Sequence, residues 1–228
     1  MNSHGDEIRR PVPYSISLNL EEALCLVVGG GVVALRKVES LIASGARVAV
    51  VSPQVVPEIE DLEEVEIVRR EFRTDDLHGK FLVVSATDDR KVNEQVAKAA
   101  VRRNMLVNVV DVPGLCNFYV NSQVRRGDLT ISVSTGGASP ALSKRIRKEL
   151  ERQYGEEYAS FLSLMREYRP MIIREVPDPG RRSKIFKRLA EARVEKIFRE
   201  RGEAAARKAI EDMINEGAYA PDGPEPKA

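Results

Sequence analysis

The chain reads as an α/β protein: a doubly wound parallel sheet, then a small α+β region, then a helical C-terminal region. Three observations predict this. Five short apolar runs alternate with helix-period segments through the first half, the pattern of parallel strands joined by right-handed crossover helices. The first run, Leu24–Val28, passes directly into Gly29-Gly30-Gly31-Val32-Val33-Ala34. After Asp111 the alternation stops, and narrow apolar stripes at helical spacing take over. The expected divisions are 1–112, 113–152, 153–217 and a disordered tail over 218–228.

In chain order, Tyr14 to Leu20 alternates serine with apolar residues and suggests an edge strand. Leu24–Val28 is continuously apolar, as in a strand covered on both faces. Val33 to Ser44 has helical spacing and ends before Gly45, a C-terminal stop. Arg47–Val51 is the second strand, Val55–Leu62 a short acidic helix and Val65–Arg69 a weaker third strand. Phe81–Ser85 is the next strand, with Asp89–Arg103 as its helix, and Val107–Val110 is the fifth. Beyond Pro113-Gly114, Asn117–Val120 suggests a short strand and Leu129–Ser134 alternates clearly as another. Ser139 and Pro140 fit the N-cap and first position of a helix running to Gln153. From Glu156 the chain is helical, with stripes at Tyr158, Phe161, Leu162, Met165 and at Ile185, Phe186, Leu189, interrupted at Pro177–Gly180.

Composition narrows the function classes. A hydrophobic fraction of 43% supports a folded core, and no apolar run approaches a membrane span. The first residues are polar and lack a secretory apolar core. Cys25 and Cys116 have no metal-ligand spacing, and a cytoplasmic setting fits two unpaired thiols. His4 and His78 both read as surface residues, so no metal site is expected. Residues 1–112 carry 14 Lys and Arg against 18 Asp and Glu; residues 113–228 carry 22 against 17. The basic second half suits an anionic ligand. Nucleic acid is not expected, since aromatics are only 5% and no binding motif accompanies the bases.

The pattern Gly29-x-Gly31-x-x-Ala34 after a strand is a dinucleotide-binding fingerprint, with alanine accepted at the last position. Glycines let the backbone approach a pyrophosphate, whose charge then meets a helix N-terminus. The carboxylate expected about 20 residues later for the ribose is missing; Val51, Ser52 and Pro53 stand there. These residues leave NAD and NADP open. Ligands of such sheets lie beyond the carboxyl ends of the strands. That rim holds Gly29–Gly31 with Val32 and Val33, Ser52-Pro53, Ser85-Ala86-Thr87-Asp88 and Asp111. A second anion cradle is suggested by Thr135-Gly136-Gly137-Ala138-Ser139-Pro140 and the basic helix behind it.

Taken together, the stretch Val27 to Lys37, Ala86-Thr87-Asp88-Asp89 with Val92-Asn93, Asn108-Val109-Val110-Asp111, Arg125 to Leu129 and Ser134 to Leu142 resemble one family in the expected order. That family is precorrin-2 dehydrogenase, some members of which are also sirohydrochlorin ferrochelatases of siroheme synthesis. The likeness spans about residues 14–152 and implies a Rossmann-like NAD-binding domain, a homodimer and oxidation of precorrin-2 to sirohydrochlorin. It implies that Asp111 is the key acidic residue, a role that suits loss of a proton alongside a hydride. It implies that Gly29, Gly30, Gly31, Val32, Val33, Ser52, Pro53, Thr87 and Asp88 hold the cofactor. Asn108, Arg125, Ser134, Thr135, Gly136, Gly137 and Lys144 would then bind the polycarboxylate tetrapyrrole, with 113–152 shaping the dimer interface and cleft. Val32 and Asn121-Ser122 depart from the family pattern. At 228 residues no methyltransferase domain is expected, so precorrin-2 would come from a separate enzyme. Two alternatives remain: a bifunctional enzyme that also inserts ferrous ion, and a nucleotide-sensing module that binds cofactor without turnover.

Overall fold

Strands without a polar face must be covered on both sides, and the first half of the chain folds accordingly. The computed structural model describes residues 13–190 and 192–219. The chain divides into two units between Val120 and Asn121.

In the first unit, β1 (Leu24–Val28), β2 (Arg47–Val51), β3 (Val65–Val68), β4 (Leu82–Ser85) and β5 (Leu106–Val109) form one parallel sheet in the order β3-β2-β1-β4-β5. The register pairs Val28 with both Val51 and Ser85, and Ser85 with Val109, so these strands end level along one rim. Alternate residues build two cores. Leu26, Val28, Ala49, Val51 and Val83 face α3 (Arg90–Arg102), through Val96, Ala97 and Ala100. Cys25, Val27, Val48 and Val50 face α1 (Val32–Ile42), through Ala34 and Val38, and the single turn α2 (Pro57–Glu60), through Ile59. Burial pushes the Cys25 thiol up to about 11, so it is protonated packing rather than a reactive group.

Two expected strands are corrected. Tyr14 to Leu20 forms no regular element; Tyr14, Ile16 and Leu18 are exposed, and only Leu20 is buried. Asn117–Val120 is not a strand either. Asn117 instead closes the open edge of β5: its Oδ1 accepts from Val107 N–H at 2.7 Å and its Nδ2 donates to the Met105 carbonyl at 2.8 Å.

The second unit opens with an antiparallel hairpin, β6 (Ser122–Arg126) and β7 (Leu129–Val133), turned at Gly127. β6 was not anticipated, because its sequence Ser-Gln-Val-Arg-Arg buries only Val124. Helices α4 (Pro140–Gln153), α5 (Glu157–Glu175), α6 (Pro179–Ala190), α7 (Ala192–Arg201) and α8 (Glu203–Tyr219) follow. The break before α6 covers Val176–Asp178, so Pro179 and Gly180 belong to its first turn. The stripe on α5 lies at Phe161, Leu164, Tyr168 and Ile172, and packs with Ile185, Leu189, Val194 and Ile210. Tyr168 Oη donates to Glu211 at 2.8 Å, tying α5 to α8. The helix α8 runs through Tyr219; the remainder of the anticipated tail lies outside the described residues.

Candidate functional site

The level strand ends make a rim, and the turns leaving it enclose a cavity of about 1010 Å³. The turn after β1 supplies its floor. Gly29 has φ +115°, and a Cβ there would sit 2.3 Å from the Ala86 carbonyl oxygen; one on Gly30 would sit 2.1 Å from that of Gln54. Backbone is therefore packed against backbone on two sides of this turn. At Gly31, by contrast, an added Cβ meets nothing within 4 Å. The third glycine faces the open space that a bound pyrophosphate would need.

Helix α1 starts at this opening. Its N-cap, Gly31, offers no side-chain hydrogen bond, and its first turn has no acidic residue. The first N–H groups of a helix have no internal partner, so here they and the positive helix end are presented to the cavity. The other long helix of the sheet is closed: Asp89 Oδ1 accepts from the N–H groups of Lys91 and Val92 at 2.7 and 3.2 Å. An anion entering the rim therefore meets one satisfied helix start and one unsatisfied one.

Asp111 stands across the rim, in the turn closed by Val112 N–H donating to the Val109 carbonyl at 3.2 Å. Its φ of +60° lies in the left-handed region, which aspartate tolerates better than most residues but at an energetic cost. Holding a carboxylate there, where glycine would be relaxed, is the kind of local strain that accompanies function. Asp111 lines the cavity, and its carboxylate makes no hydrogen bond or ion pair among the described residues.

Of the expected cofactor residues, Gly29, Gly30, Gly31, Val32, Val33, Ser52, Thr87 and Asp88 all line this cavity, together with Asp111. Pro53 does not; Ser52 before it and Gln54 after it do. Ser52 is nearly buried, and its hydroxyl donates to the Gln54 carbonyl at 2.6 Å, leaving oxygen lone pairs for a ribose. Asn108 is buried below the rim and does not line the cavity. Its Nδ2 donates to the Phe118 carbonyl at 3.0 Å, which fastens the chain leaving β5.

The remaining expected substrate residues lie in the second unit. Arg125 and Lys144 are exposed. The Ser134–Pro140 loop is folded on itself: Ser134 Oγ accepts from Gly136 N–H, and Thr135 Oγ1 accepts from Ser139 N–H at 3.1 Å. Ser139 Oγ in turn accepts from Leu142 N–H at 3.2 Å and caps α4.

Asn93 is a positioning residue whose role sequence reasoning missed. Ser85 Oγ, fully buried, donates to Asn93 Oδ1 at 2.7 Å, and Asn93 Nδ2 donates to the Thr87 carbonyl at 2.9 Å. This buried relay fixes the Ala86–Asp88 loop against Gly29. Its signal was an asparagine one turn into a helix, four residues after the capping Asp89.

Open helix start, glycine turn and rim carboxylate define a dinucleotide-binding protein of the doubly wound class. Residues 16–122 match a family described as putative NAD(P)-binding, and residues 126–153 match the central region of sirohaem biosynthesis proteins. Over residues 16–153 the chain is thus similar to proteins of sirohaem biosynthesis. It is 37% identical over 207 residues to the siroheme synthase of Thioalkalivibrio sulfidiphilus, covering 90% of this chain and 42% of that protein. It is 36% identical to the siroheme synthase of Methylococcus capsulatus, covering 77% and 38% respectively. The chain thus spans well under half the length of these curated relatives. Among solved structures, SirC, a precorrin-2 dehydrogenase, superposes with a TM-score of 0.74 at 28% identity, covering 90% of this chain and 100% of SirC.

Proposed function

We propose that this chain oxidises precorrin-2 to sirohydrochlorin with NAD as hydride acceptor, as a cytoplasmic homodimer. The observation that carries this reading is the cleft: an unsatisfied helix start at Gly31 and an unpaired carboxylate at Asp111 open into one cavity. The likeness to SirC along that protein's whole length supports the substrate.

The N–H groups at the start of α1 would hold the pyrophosphate, at a turn that Gly29 and Gly30 allow to pack closely on the Ala86 and Gln54 backbone. Ser52, whose hydroxyl oxygen keeps free lone pairs, would hold the adenosine ribose, and with no carboxylate beside it these residues leave NADP as an alternative to NAD. Thr87 and Asp88, fixed through Asn93, line the path toward the reacting end. Bound NAD supplies a two-electron acceptor. Asp111 takes the proton that leaves as the hydride departs, so two electrons and two hydrogens leave the macrocycle in balance. Residues 113–152 form the dimer and substrate region, where Arg125, Lys144 and the Ser134–Gly137 loop meet substrate carboxylates; residues 153–217 form a helical support.

The test is anaerobic. Purified protein is mixed with freshly made precorrin-2 and NAD, and sirohydrochlorin and reduced cofactor are followed together. Cofactor-dependent turnover that disappears in Asp111→Ala is the expected result. Cofactor binding by a folded dimer without turnover would replace this reading with a nucleotide sensor. Metal insertion faster than in a no-enzyme control would add a chelatase step.

A further inference from the structure

The cavity draws on both faces of the sheet. Helix α1 packs on one face through Ala34 and Val38, and α3 on the other through Val96 and Ala97. The open start of α1 serves the pyrophosphate from its side. The α3 side carries Arg90, the first residue of that helix, with Asn93 and Glu94 behind it. Among the described residues that line the cavity, Arg90 is the one lysine or arginine, against the carboxylates of Asp88, Glu94 and Asp111. A dinucleotide and a polycarboxylate both bring negative charge, and like charges brought together in a cleft repel. The N–H groups of α1 answer the pyrophosphate; carboxylates of a second ligand need a cation of their own.

Arg90 stands on a fixed base with a free end. Asp89 caps its helix by accepting from Lys91 and Val92 N–H at 2.7 and 3.2 Å, and Asn93 ties the preceding loop through the Thr87 carbonyl. Arg90 Nε donates to Glu94 Oε1 at 3.3 Å, while Glu94 Oε2 lies 3.8 Å from Lys98 Nζ. The two terminal nitrogens of Arg90 make no hydrogen bond among the described residues, and its side chain is 90% exposed. An exposed pair at this helical spacing contributes little, so Glu94 steers the guanidinium without locking it. The free terminal nitrogens form a planar fork that matches one carboxylate in two parallel bonds.

Place along the rim selects the ligand. In the strand order β1-β4-β5, the segment after β4 lies between the glycine turn and the turn that carries Asp111. We propose that Arg90 binds a carboxylate of the tetrapyrrole and so determines how the macrocycle is presented to Asp111. This role rests on the proposed oxidation of precorrin-2, which supplies the carboxylate ligand.

The first test needs no turnover. Sirohydrochlorin, whose carboxylate side chains the oxidation leaves untouched, is titrated into the full chain in wild type, Arg90→Gln and Arg90→Lys, and followed by its absorbance. Affinity is expected to fall at least about tenfold in Arg90→Gln, the loss of one charge-assisted contact. Arg90→Lys, which keeps the charge but not the fork, is expected to recover part of it. NAD affinity and melting temperature are expected to be unchanged, since Asp89 still caps α3. Equal sirohydrochlorin affinity in wild type and Arg90→Gln would overturn the role. Weakened NAD with unaltered sirohydrochlorin would make Arg90 a cofactor ligand and overturn it too. In turnover, Arg90→Gln is expected to raise KM for precorrin-2 about tenfold and to keep kcat and the KM for NAD. Weaker sirohydrochlorin binding in Arg90→Gln, with no oxidation by the wild type, would uphold the carboxylate site and overturn the oxidation alone. A wild type that binds no sirohydrochlorin would overturn both.

Discussion

The starts of α1 and α4 have the same ingredients and different states. Each follows a strand through a glycine-containing loop, and each was expected to receive an anion. At α4 the loop answers its own donors, through Ser134, Thr135 and Ser139. At α1, among the described residues, no side chain does: Gly31 has none to cap with, and a Cβ placed there would meet nothing within 4 Å. An uncapped start leaves backbone N–H groups for a pyrophosphate, while at a capped one any substrate carboxylate would be met by loop and side-chain groups instead. Only the folded structure shows which start is which.

The largest expected effect breaks the open start. In Gly30→Ala the new methyl would meet the Gln54 carbonyl, so the turn must move. A loss of about 1–3 kcal/mol in stability is expected, with NAD binding abolished, as checked by thermal unfolding and cofactor titration. Exchanging the two states sharpens the contrast. Gly31→Asp supplies α1 with the cap that Asp89 gives α3; NAD affinity should fall at least about tenfold, or 1.4 kcal/mol, while stability is kept or slightly raised. Ser139→Ala is the converse: about 1 kcal/mol of stability is lost and NAD affinity is unchanged. If Ser139→Ala weakened NAD instead, the assignment of α1 as the pyrophosphate site would need revision.

Asp111→Gly separates strain from chemistry. Glycine relieves the left-handed residue, so stability should hold or rise by up to about 1 kcal/mol, while turnover is lost. The smallest effect belongs to pH. The Arg70 hydrogen bond, helped by Arg73 N–H, holds the Asp76 carboxyl below the usual range against its partial burial. A depressed folded-state value stabilises above the unfolded value near pH 4, and that contribution fades as pH falls through the folded one. The difference in melting temperature between wild type and Asp76→Asn should therefore be present at neutral pH and shrink below about pH 4.

The parallel sheet was legible because its strands are continuous apolar runs that must be buried on both faces. The same logic failed at Asn117–Val120, where Phe118, Tyr119 and Val120 look like a strand but the Asn117 amide has taken over the edge of β5. It failed in the opposite sense at β6, a polar hairpin strand with one buried residue. Most of the expected cofactor residues reached the cavity because each sits at a strand end, and strand ends in this topology share a rim. Asn108, one residue short of that end, did not, since alternate residues of β5 point elsewhere and its amide holds Phe118.

By itself, the sequence determined the alternation of strand and helix, the glycine turn and the placing of Asp111 after the last parallel strand, because these depend on local pattern and on backbone freedom. The tertiary structure alone decided which helix start stays open and that Asn93 joins Ser85 to Thr87. Hydrogen bonding acts through distance in space, which periodicity along the chain does not encode.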